Sequence, residues 1–264
     1  MKTVVITGSA RGFGFAMLKY FRENGYNTVL CDVNLNALMT AKEELGKIKS
    51  DGKILFFKAD ISDLDDIDSL IEGTLKEFGT IDIWINNAAI NQFNLPSWDI
   101  YDDSIIKLVD IDLKGVMLCS KAIMHVMINQ GFGQIYNVVG SQFDKFPDGT
   151  AIYQSCKDAV DYFSIAMARE VEAERTGVIV GRINPGLMIT NFINTSNGDG
   201  DKFDLNYKAK RLYNTLGDLP DVVAEYIVTK IASNKKNNVE FVWLTKRKIF
   251  WRKLTLRYKR VDFF

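Results

Sequence analysis

Short apolar runs alternate with longer amphipathic segments along almost the whole chain, and this alternation constrains the possible folds more than any other feature. It is typical of βαβ units, in which right-handed helical crossovers join parallel strands. The predicted strands are Thr3–Thr7, Thr28–Cys31, Ile54–Lys58, Ile81–Asn86, Gln134–Val139, Val178–Ile183 and Val239–Leu244. The predicted helices are Gly12–Asn24, Leu35–Lys49, Leu64–Phe78, Tyr101–Asn129, Tyr153–Arg175 and Asp221–Ser233. The sequence therefore predicts a three-layer α/β fold, with a doubly wound parallel sheet of about seven strands between two layers of helices.

The length and composition favour one domain. The chain has 264 residues, of which 47% are hydrophobic and 25% charged, and no repeat or proline-rich linker divides it. We expect a single domain over residues 1–264 that includes a basic C-terminal extension over residues 245–264. No run reaches the roughly 20 apolar residues of a membrane-spanning helix, and we identify no signal peptide. The three cysteines lack metal or redox spacing, which favours a reducing, cytoplasmic location.

The charge is balanced overall but unevenly distributed. Residues 235–264 contain 10 Lys/Arg and two acids, a local charge of +8, which leaves −8 on the rest of the chain. Basic and apolar residues alternate over Lys246–Arg260. This pattern is consistent with a helix that closes one edge of the domain, and also with a helix that contacts a membrane surface or another polyanion.

A glycine-rich turn joins the first predicted strand to the first helix, with the sequence Thr7-Gly8-Ser9-Ala10-Arg11-Gly12-Phe13-Gly14. Glycines allow a tight turn and a close approach to a pyrophosphate, whose charge is stabilised by the helix N-terminus. Asp32 ends the second strand, where a carboxylate accepts hydrogen bonds from adenosine ribose hydroxyls and repels a 2′-phosphate. Asp32 therefore favours NAD(H), whereas Arg11 within the turn favours NADP(H). We give Asp32 the greater weight.

Tyr153 and Lys157 begin another predicted helix and, being four residues apart, share one of its faces. An ammonium group beside a phenol favours the phenolate and lowers the tyrosine pKa, as a general acid/base requires. Such a pair is common on protein surfaces, but its combination with a nucleotide-type turn indicates a catalytic pair.

These motifs resemble those of the classical short-chain dehydrogenase/reductase family, and the resemblance extends over nearly the whole chain. It is also carried by Asp60-Ile61, Asn86-Asn87-Ala88-Ala89, Asp112-Leu113-Lys114-Gly115 and Pro185-Gly186-xxx-Thr190. The resemblance implies a Rossmann-like fold and hydride transfer between a nicotinamide cofactor and a carbonyl or alcohol group.

Residue roles follow from the same resemblance. It implies that Tyr153 is the general acid/base, that Lys157 holds the nicotinamide ribose, and that Asn86 supports the central strand and the cofactor. Asp60 is implied to contact the adenine and Thr190 the carboxamide. The implied cofactor-binding set is Gly8, Ser9, Arg11, Gly12, Phe13, Gly14, Asp32, Asp60, Ile61, Asn87, Ala88, Tyr153, Lys157, Pro185, Gly186 and Thr190.

The chain departs from the family pattern at two catalytic positions. The family serine that polarises the substrate carbonyl precedes the tyrosine by 13 residues, where this chain has Gly140. We take the adjacent Ser141 as the catalytic serine, with Gln142 or a water as the alternative donor. The family asparagine is replaced by Asp112, which accepts the same hydrogen bonds and favours protonated Lys157, but lacks the amide donor.

The substrate class is indicated by two patterns. The runs Gly133–Gly140 and Trp243–Arg252 resemble the chlorophyll(ide) b reductase-like branch, which implies an aldehyde or ketone on a bulky molecule. Apolar side chains also follow the strand ends, where ligands bind in open α/β sheets. The substrate-binding candidates among them are Phe93, Phe143, Met188 and Phe192, and Trp98 and Phe146 follow strand ends as well.

We therefore expect an NAD(H)-dependent oxidoreductase acting on an apolar or aromatic small molecule, with Tyr153, Lys157, Ser141 and Asp112 as catalytic residues. Two alternatives remain: a catalytically weakened nucleotide-binding regulator, and a protein associated with a membrane or polyanion through its basic tail. The resemblance implies a homodimer or homotetramer formed through the helices over Tyr101–Asn129 and Tyr153–Arg175. We expect no metal site, since the single histidine, His125, fits a core or interface position. No nucleic-acid partner is expected.

Overall fold

The computed structural model describes residues 1–92, 95–140, 149–194, 207–255 and 263. Within them, seven strands form one parallel sheet in the order β3-β2-β1-β4-β5-β6-β7. The strands are β1 Thr3–Thr7, β2 Asn27–Asp32, β3 Ile54–Lys58, β4 Ile83–Asn86, β5 Gly133–Val138, β6 Val178–Asn184 and β7 Val239–Val242. The predicted doubly wound parallel sheet is confirmed, and each predicted strand is present.

Helices cover both faces of this sheet. They are α1 Gly12–Glu23, α2 Leu35–Gly46, α3 Leu64–Phe78, α4 Asp102–Val109, α5 Val116–Gln130, α6 Ala151–Ala173, α7 Tyr207–Leu216, α8 Pro220–Ser233 and α9 Lys246–Thr255. No helix in the described part of the chain is long and apolar enough to cross a membrane.

The central strands are largely apolar because both faces of the sheet are buried there. Along β1, Val4 and Ile6 pack into the cluster that includes Phe21 of α1 and Ile227 of α8. Val5 points the opposite way, into the cluster formed with α3, α5 and α6. Successive strand residues thus serve two separate cores, as the period of two in a strand requires.

The single helix predicted over Tyr101–Asn129 is wrong, because a π-helical turn at Asp110–Gly115 separates α4 from α5. Gly115 packs so closely on the β3–α3 connection that a Cβ there would lie 2.9 Å from the carbonyl oxygen of Ile61. The turn also buries Asp112 completely, and its Oδ1 accepts a hydrogen bond of 2.8 Å from the N–H of Ile90. The wider turn thus places a carboxylate inside the protein.

The carboxyl ends of the parallel strands meet at one edge of the sheet. The glycine turn follows β1, Asp32 ends β2, Asn87 follows β4, Gly140 follows β5 and Pro185 follows β6. This edge is where ligands bind in open α/β sheets.

Candidate active site

The glycine turn is locked onto the segment that follows β4. Gly8 has a φ of +61°, and a Cβ on it would lie 2.6 Å from Cα of Ala88. A Cβ on Gly14 would lie 2.6 Å from Nδ2 of Asn87. That Nδ2 donates hydrogen bonds of 3.0 Å to the carbonyl oxygens of Thr7 and Gly8. The glycines are therefore required for packing as well as for the turn.

The start of α1 fits a phosphate group. Its N-cap residue, Arg11, makes no side-chain capping hydrogen bond, and no acid lies in the first turn of the helix. Gly12 has a φ of +60°, and the atom nearest to a Cβ there would be Cγ2 of Thr190, at 3.8 Å. Backbone N–H groups and the positive end of the helix dipole thus remain for an anion. Phe13, which follows Gly12 in the first turn of α1, is buried, with 5% of its surface exposed.

Asp32 lies beside the same turn. Its Oδ2 accepts a hydrogen bond from the N–H of Ala10 at 3.3 Å, and its Oδ1 accepts one from the N–H of Asn34 at 3.1 Å. The carboxylate is therefore fixed between the turn and the start of α2. The neighbouring Ser9 is fully buried, and its Oγ accepts a hydrogen bond from the N–H of Cys31 at 3.0 Å. Its hydroxyl thus links the turn to β2.

The remaining predicted adenine-side residues lie after β3. Oδ1 of Asp60 accepts hydrogen bonds from the N–H and the hydroxyl of Ser62 at 2.8 and 2.7 Å. Ile61 is 4% exposed and packs beneath Gly115 of the π-helical turn.

A buried chain of polar side chains joins the two central strands to the helices beneath them. Nδ2 of Asn86 donates to Oγ of Ser120 at 2.9 Å and to Oδ1 of Asn137 at 2.8 Å. Nδ2 of Asn137 donates in turn to Oγ of Ser164 in α6, at 2.8 Å. Asn86 thus supports the central strand, as expected, and its amide N–H groups are used within the protein.

Tyr153, Lys157 and Asp112 come together next to this edge. Nζ of Lys157 lies 3.4 Å from Oδ2 of Asp112 and 5.5 Å from the ring centroid of Tyr153. The side chains of the ion pair are 3% and 0% exposed. The π-helical turn supplies the carboxylate and α6 supplies the other two groups. A buried acid/base pair with an attached carboxylate can therefore transfer a proton to or from a bound oxygen.

The pKa of Tyr153 is shifted in the direction opposite to the sequence prediction. Burial raises it well above its ordinary value, and the negative charge of Asp112 raises it further. The ammonium of Lys157 was expected to lower this pKa, but in the structure it is paired with Asp112. Burial also raises the pKa of Asp112, while Lys157 opposes that shift. Tyr153 is consequently a protonated phenol at neutral pH.

Comparison with known proteins agrees with this geometry. A family model described as short chain dehydrogenase matches residues 2–200. The chain belongs to the short-chain dehydrogenase family. It is 30% identical over 236 residues to chlorophyll(ide) b reductase NOL of Arabidopsis thaliana, covering 86% of this chain and 64% of the relative. It is 30% identical over 194 residues to a 3alpha-hydroxysteroid dehydrogenase of Mediterraneibacter gnavus, covering 73% of this chain and 76% of that protein.

The fold of the family is matched over most of the chain. The crystal structure of levodione reductase superposes with a TM-score of 0.78 and 25% identity, covering 91% of this chain and 95% of the other. Against the chlorophyll(ide) b reductases that it matches, this chain spans only 51% to 67% of their length. The predicted resemblance to this branch of the family is confirmed.

Gly140 stands where the short-chain dehydrogenase family has its serine, and the structure shows why a side chain is missing there. A Cβ on Gly140 would lie 2.9 Å from Nε2 of Gln154 and 3.0 Å from Cβ of Lys157. Gln154 is 8% exposed, and its Nε2 donates a hydrogen bond of 2.9 Å to Oδ1 of Asp158. The side chain of Gln154 thus occupies the space that a residue at position 140 would need.

Two amides that the sequence analysis missed hold the substrate side of the site. Oε1 of Gln92 accepts a hydrogen bond of 2.8 Å from the N–H of Tyr153, and its Nε2 donates to the carbonyl oxygen of Gly149. Nδ2 of Asn91 donates to the carbonyl oxygen of Phe192 at 3.0 Å. Asn91 and Gln92 both follow β4 at the carboxyl edge of the sheet, and this position was the one sequence feature that could have identified them.

The residues predicted to bind substrate lie in different parts of the structure. The ring of Phe192 lies 5.8 Å from that of Tyr153, centroid to centroid, so it borders the predicted general acid/base. Met188 packs against the core cluster of α1 and α8, and Trp98 is 83% exposed on the surface. Tyr213 of α7, which the sequence analysis did not identify, lies near enough to raise the pKa of Tyr153. The other candidates, Ser141, Gln142, Phe93, Phe143 and Phe146, lie outside the described residues.

The last sequence motif follows β6. Pro185 is buried, and Gly186 has a φ of +70° with Leu244 so close that a Cβ would lie 2.5 Å from its Cβ. Thr190, further along the same segment, lies opposite Gly12. His125 is exposed on α5, which excludes the core position; the interface position, the other one expected for it, stays a prediction. No metal-binding cluster of three or more His, Cys, Asp or Glu side chains is found among the residues that the structure describes.

Proposed function

We propose that this protein is an NAD(H)-dependent oxidoreductase that acts on a carbonyl or alcohol group of an apolar or aromatic small molecule. The observation that carries the proposal is the meeting of Tyr153, Lys157 and Asp112 beside a glycine turn that fits a dinucleotide. A bound nicotinamide would supply or accept the hydride. The chain's own residues supply the binding and the proton transfer.

The cofactor would be held mainly by backbone. The N–H groups at the start of α1 bind the pyrophosphate, and Thr190 lies across from them for the nicotinamide end. The carboxylate of Asp32 accepts hydrogen bonds from the ribose hydroxyls and repels a 2′-phosphate. Since Asp32 is fixed against the turn while Arg11 is exposed, we favour NAD(H) over NADP(H).

Proton transfer belongs to Tyr153. Its raised pKa keeps the phenol of Tyr153 protonated, which is the form that reduction of a carbonyl requires, although a raised pKa also makes the phenol a weaker acid. The ammonium of Lys157 stabilises the tyrosinate that remains, and Asp112 keeps that ammonium paired within the protein. We assign to Ser141 the hydrogen bond that orients the substrate oxygen.

The substrate class rests on the surroundings of Tyr153. The ring of Phe192 borders the phenol, and Tyr213 of α7 contributes to raising the pKa of Tyr153. Aromatic walls favour a substrate with rings or an apolar body over a small sugar. The relatives named for chlorophyll(ide) b and for 3alpha-hydroxysteroids support the same class.

The test is Tyr153→Phe, with Tyr162→Phe on the same helix as the matched control, since Tyr162 is 75% exposed. Turnover is measured with NADH on a panel of ring-containing ketones and aldehydes, and NADH affinity by fluorescence titration. We expect Tyr153→Phe to lose on the order of 100-fold or more in kcat with nearly unchanged NADH affinity, and Tyr162→Phe to behave as wild type. Full turnover by Tyr153→Phe would remove it from this role.

One observation favours a second candidate, a nucleotide-binding regulator with little or no turnover. Lys157 is paired with Asp112, where the family has an uncharged asparagine. That candidate predicts that the protein binds NADH tightly but oxidises no NADH with any carbonyl compound of the panel. It also predicts that the Asp112→Asn variant gains turnover.

The assembly and location complete the proposal. We propose a homodimer or homotetramer through α4, α5 and α6, because these helices expose Ile106, Ile128 and Tyr162 to the extent of 59%, 43% and 75%. A cytoplasmic location is proposed from the three unpaired, buried cysteines.

A further inference from the structure

Helix α9 is attached to the domain by one face. Nη2 of Arg252 lies 2.7 Å from Oδ2 of Asp218, and its Nη1 donates a hydrogen bond of 2.8 Å to the carbonyl oxygen of Leu216. Nζ of Lys248 lies over the ring of Trp243, 2.9 Å from its centroid. These contacts fix the orientation of the helix, so its opposite face is also defined.

That opposite face carries large apolar side chains in solvent. Phe250 is 62% exposed, Trp251 52% and Leu254 62%. They are neighbours on one side of the helix, since residues three and four apart lie on the same face. We call Phe250, Trp251 and Leu254 the outer face of α9.

The outer face is surrounded by positive charge. Helix α9 contains five Lys/Arg and no acid, and of these Lys246, Arg247 and Lys253 are exposed. Residues 235–264 carry a net charge of +8 against −8 elsewhere, and Lys246, Arg247 and Lys253 contribute three of these positive charges on the helix of the apolar patch. Aromatic and aliphatic side chains ringed by Lys and Arg are typical of helices that lie in a membrane interface.

We propose that the outer face of α9 binds the surface of an anionic lipid bilayer. The chemistry favours this partner over two others. A nucleic acid would be bound by the cations but would leave Leu254 without an apolar partner. A second copy of α9 would bring together two basic helices that contain no acidic residue, and their like charges would oppose the contact.

The attachment of α9 gives this contact a consequence for the site. The N–H of Asp218 donates to the carbonyl oxygen of Leu187, and its own carbonyl oxygen accepts from Ile189. Leu187 and Ile189 lie in the segment that leads to Thr190. Helix α7 in addition packs against α9. If the proposed function holds, a membrane-bound α9 therefore holds the substrate side of the site near the bilayer, from which an apolar substrate would enter. The lipid contact itself does not depend on that function.

The experiment is co-sedimentation of the full chain with phosphatidylcholine vesicles prepared with and without phosphatidylglycerol. We expect binding to the anionic vesicles and loss of binding in high salt. Replacing the three outer-face residues by Gln should weaken the partition coefficient on the order of 100-fold. The triple variant Lys246→Gln/Arg247→Gln/Lys253→Gln should weaken it to a similar extent, about 100-fold.

Two controls separate this surface from general effects. Trp98→Gln removes another exposed aromatic, and Lys47→Gln/Lys49→Gln/Lys76→Gln removes the same number of exposed charges elsewhere. Both should leave vesicle binding unchanged within about twofold. Circular dichroism and NADH titration of each variant show whether the fold is retained.

Three results would overturn the proposal. The first is no sedimentation with anionic vesicles at low salt. The second is equal weakening by the control variants. The third is evidence for one of the other two partners. Either replacing the outer-face residues changes the oligomeric state, or the wild-type protein binds a DNA duplex but no vesicles and loses the DNA binding when these residues are replaced. These results leave the Tyr153→Phe experiment unaffected, so the two proposals fail independently.

Discussion

Gly140 and Gln154 form a pair that a double-mutant cycle can test. In Gly140→Ser, the new Cβ would lie 2.9 Å from Nε2 and 3.2 Å from Oε1 of Gln154, and 3.0 Å from Cβ of Lys157. The amide must move, which breaks its hydrogen bond to Asp158, worth about 1 kcal/mol. Crowding against Lys157 adds about 1–2 kcal/mol. We therefore expect Gly140→Ser to lower the free energy of unfolding by about 2–3 kcal/mol.

The part of this loss that comes from Gln154 should disappear in Gln154→Ala. The double variant should consequently be more stable than the sum of the two single changes by about 1 kcal/mol. Urea unfolding of the four proteins measures the coupling, and equal m-values confirm that the same transition is compared. Ser155→Ala is the matched control, since Ser155 is exposed on the same helix and should combine additively with Gly140→Ser. Additivity of Gly140→Ser and Gln154→Ala within about 0.5 kcal/mol would refute the steric argument.

The same double variant tests which group orients the substrate oxygen. It places a hydroxyl at the position of the family serine and removes the amide of Gln154 from beside it. If Ser141 performs that role in the natural chain, Ser141→Ala should lose turnover, and Ser141→Ala in the Gly140→Ser/Gln154→Ala background should regain it. No loss in Ser141→Ala alone would assign the hydrogen bond to another donor.

Three further changes have defined outcomes. Asp32→Ala should narrow the ratio of NADH to NADPH affinity by about tenfold, measured by fluorescence titration, while the exposed-site control Asp51→Ala keeps the wild-type ratio. Asp112→Asn removes a charge that raises the pKa of Tyr153, so the alkaline rise of alcohol oxidation should move to lower pH; an unmoved profile would mean that burial alone sets that pKa. Tyr162→Arg places a charge on the exposed face of α6 and should shift the protein to a smaller species in size-exclusion chromatography, and an unchanged elution volume would argue against assembly through this helix.

The sheet could be predicted because its central strands are buried on both faces. These strands are short, largely apolar runs in the sequence, since separate hydrophobic clusters pack on the two sides of β1. The glycine turn and the Tyr153–Lys157 pair were equally accessible, since both depend on spacing within one local element.

Features that depend on contacts between distant segments could not be predicted. The π-helical turn leaves the helical pattern of Tyr101–Asn129 intact, and only the packing of Gly115 on Ile61 reveals why it forms. The direction of the Tyr153 pKa shift depends on burial and on Asp112, which lies 41 positions earlier in the chain. Helix α7 was missed although Ala209, Leu212, Tyr213 and Leu216 recur at helical spacing, and Tyr213 was missed with it.

The strand order also determines when this protein can fold as it is synthesised. β1 lies between β2 and β4, so one of its edges stays unpaired until Ile83–Asn86 has been made. Until then, Val4, Val5 and Ile6 present an apolar strand edge, the kind of surface on which nascent chains associate. The outermost strand, β7, joins only after Val239–Val242 has emerged. A chain stalled before β4 should therefore be a client for chaperones, whereas one stalled after β5 already contains the five adjacent strands β3-β2-β1-β4-β5.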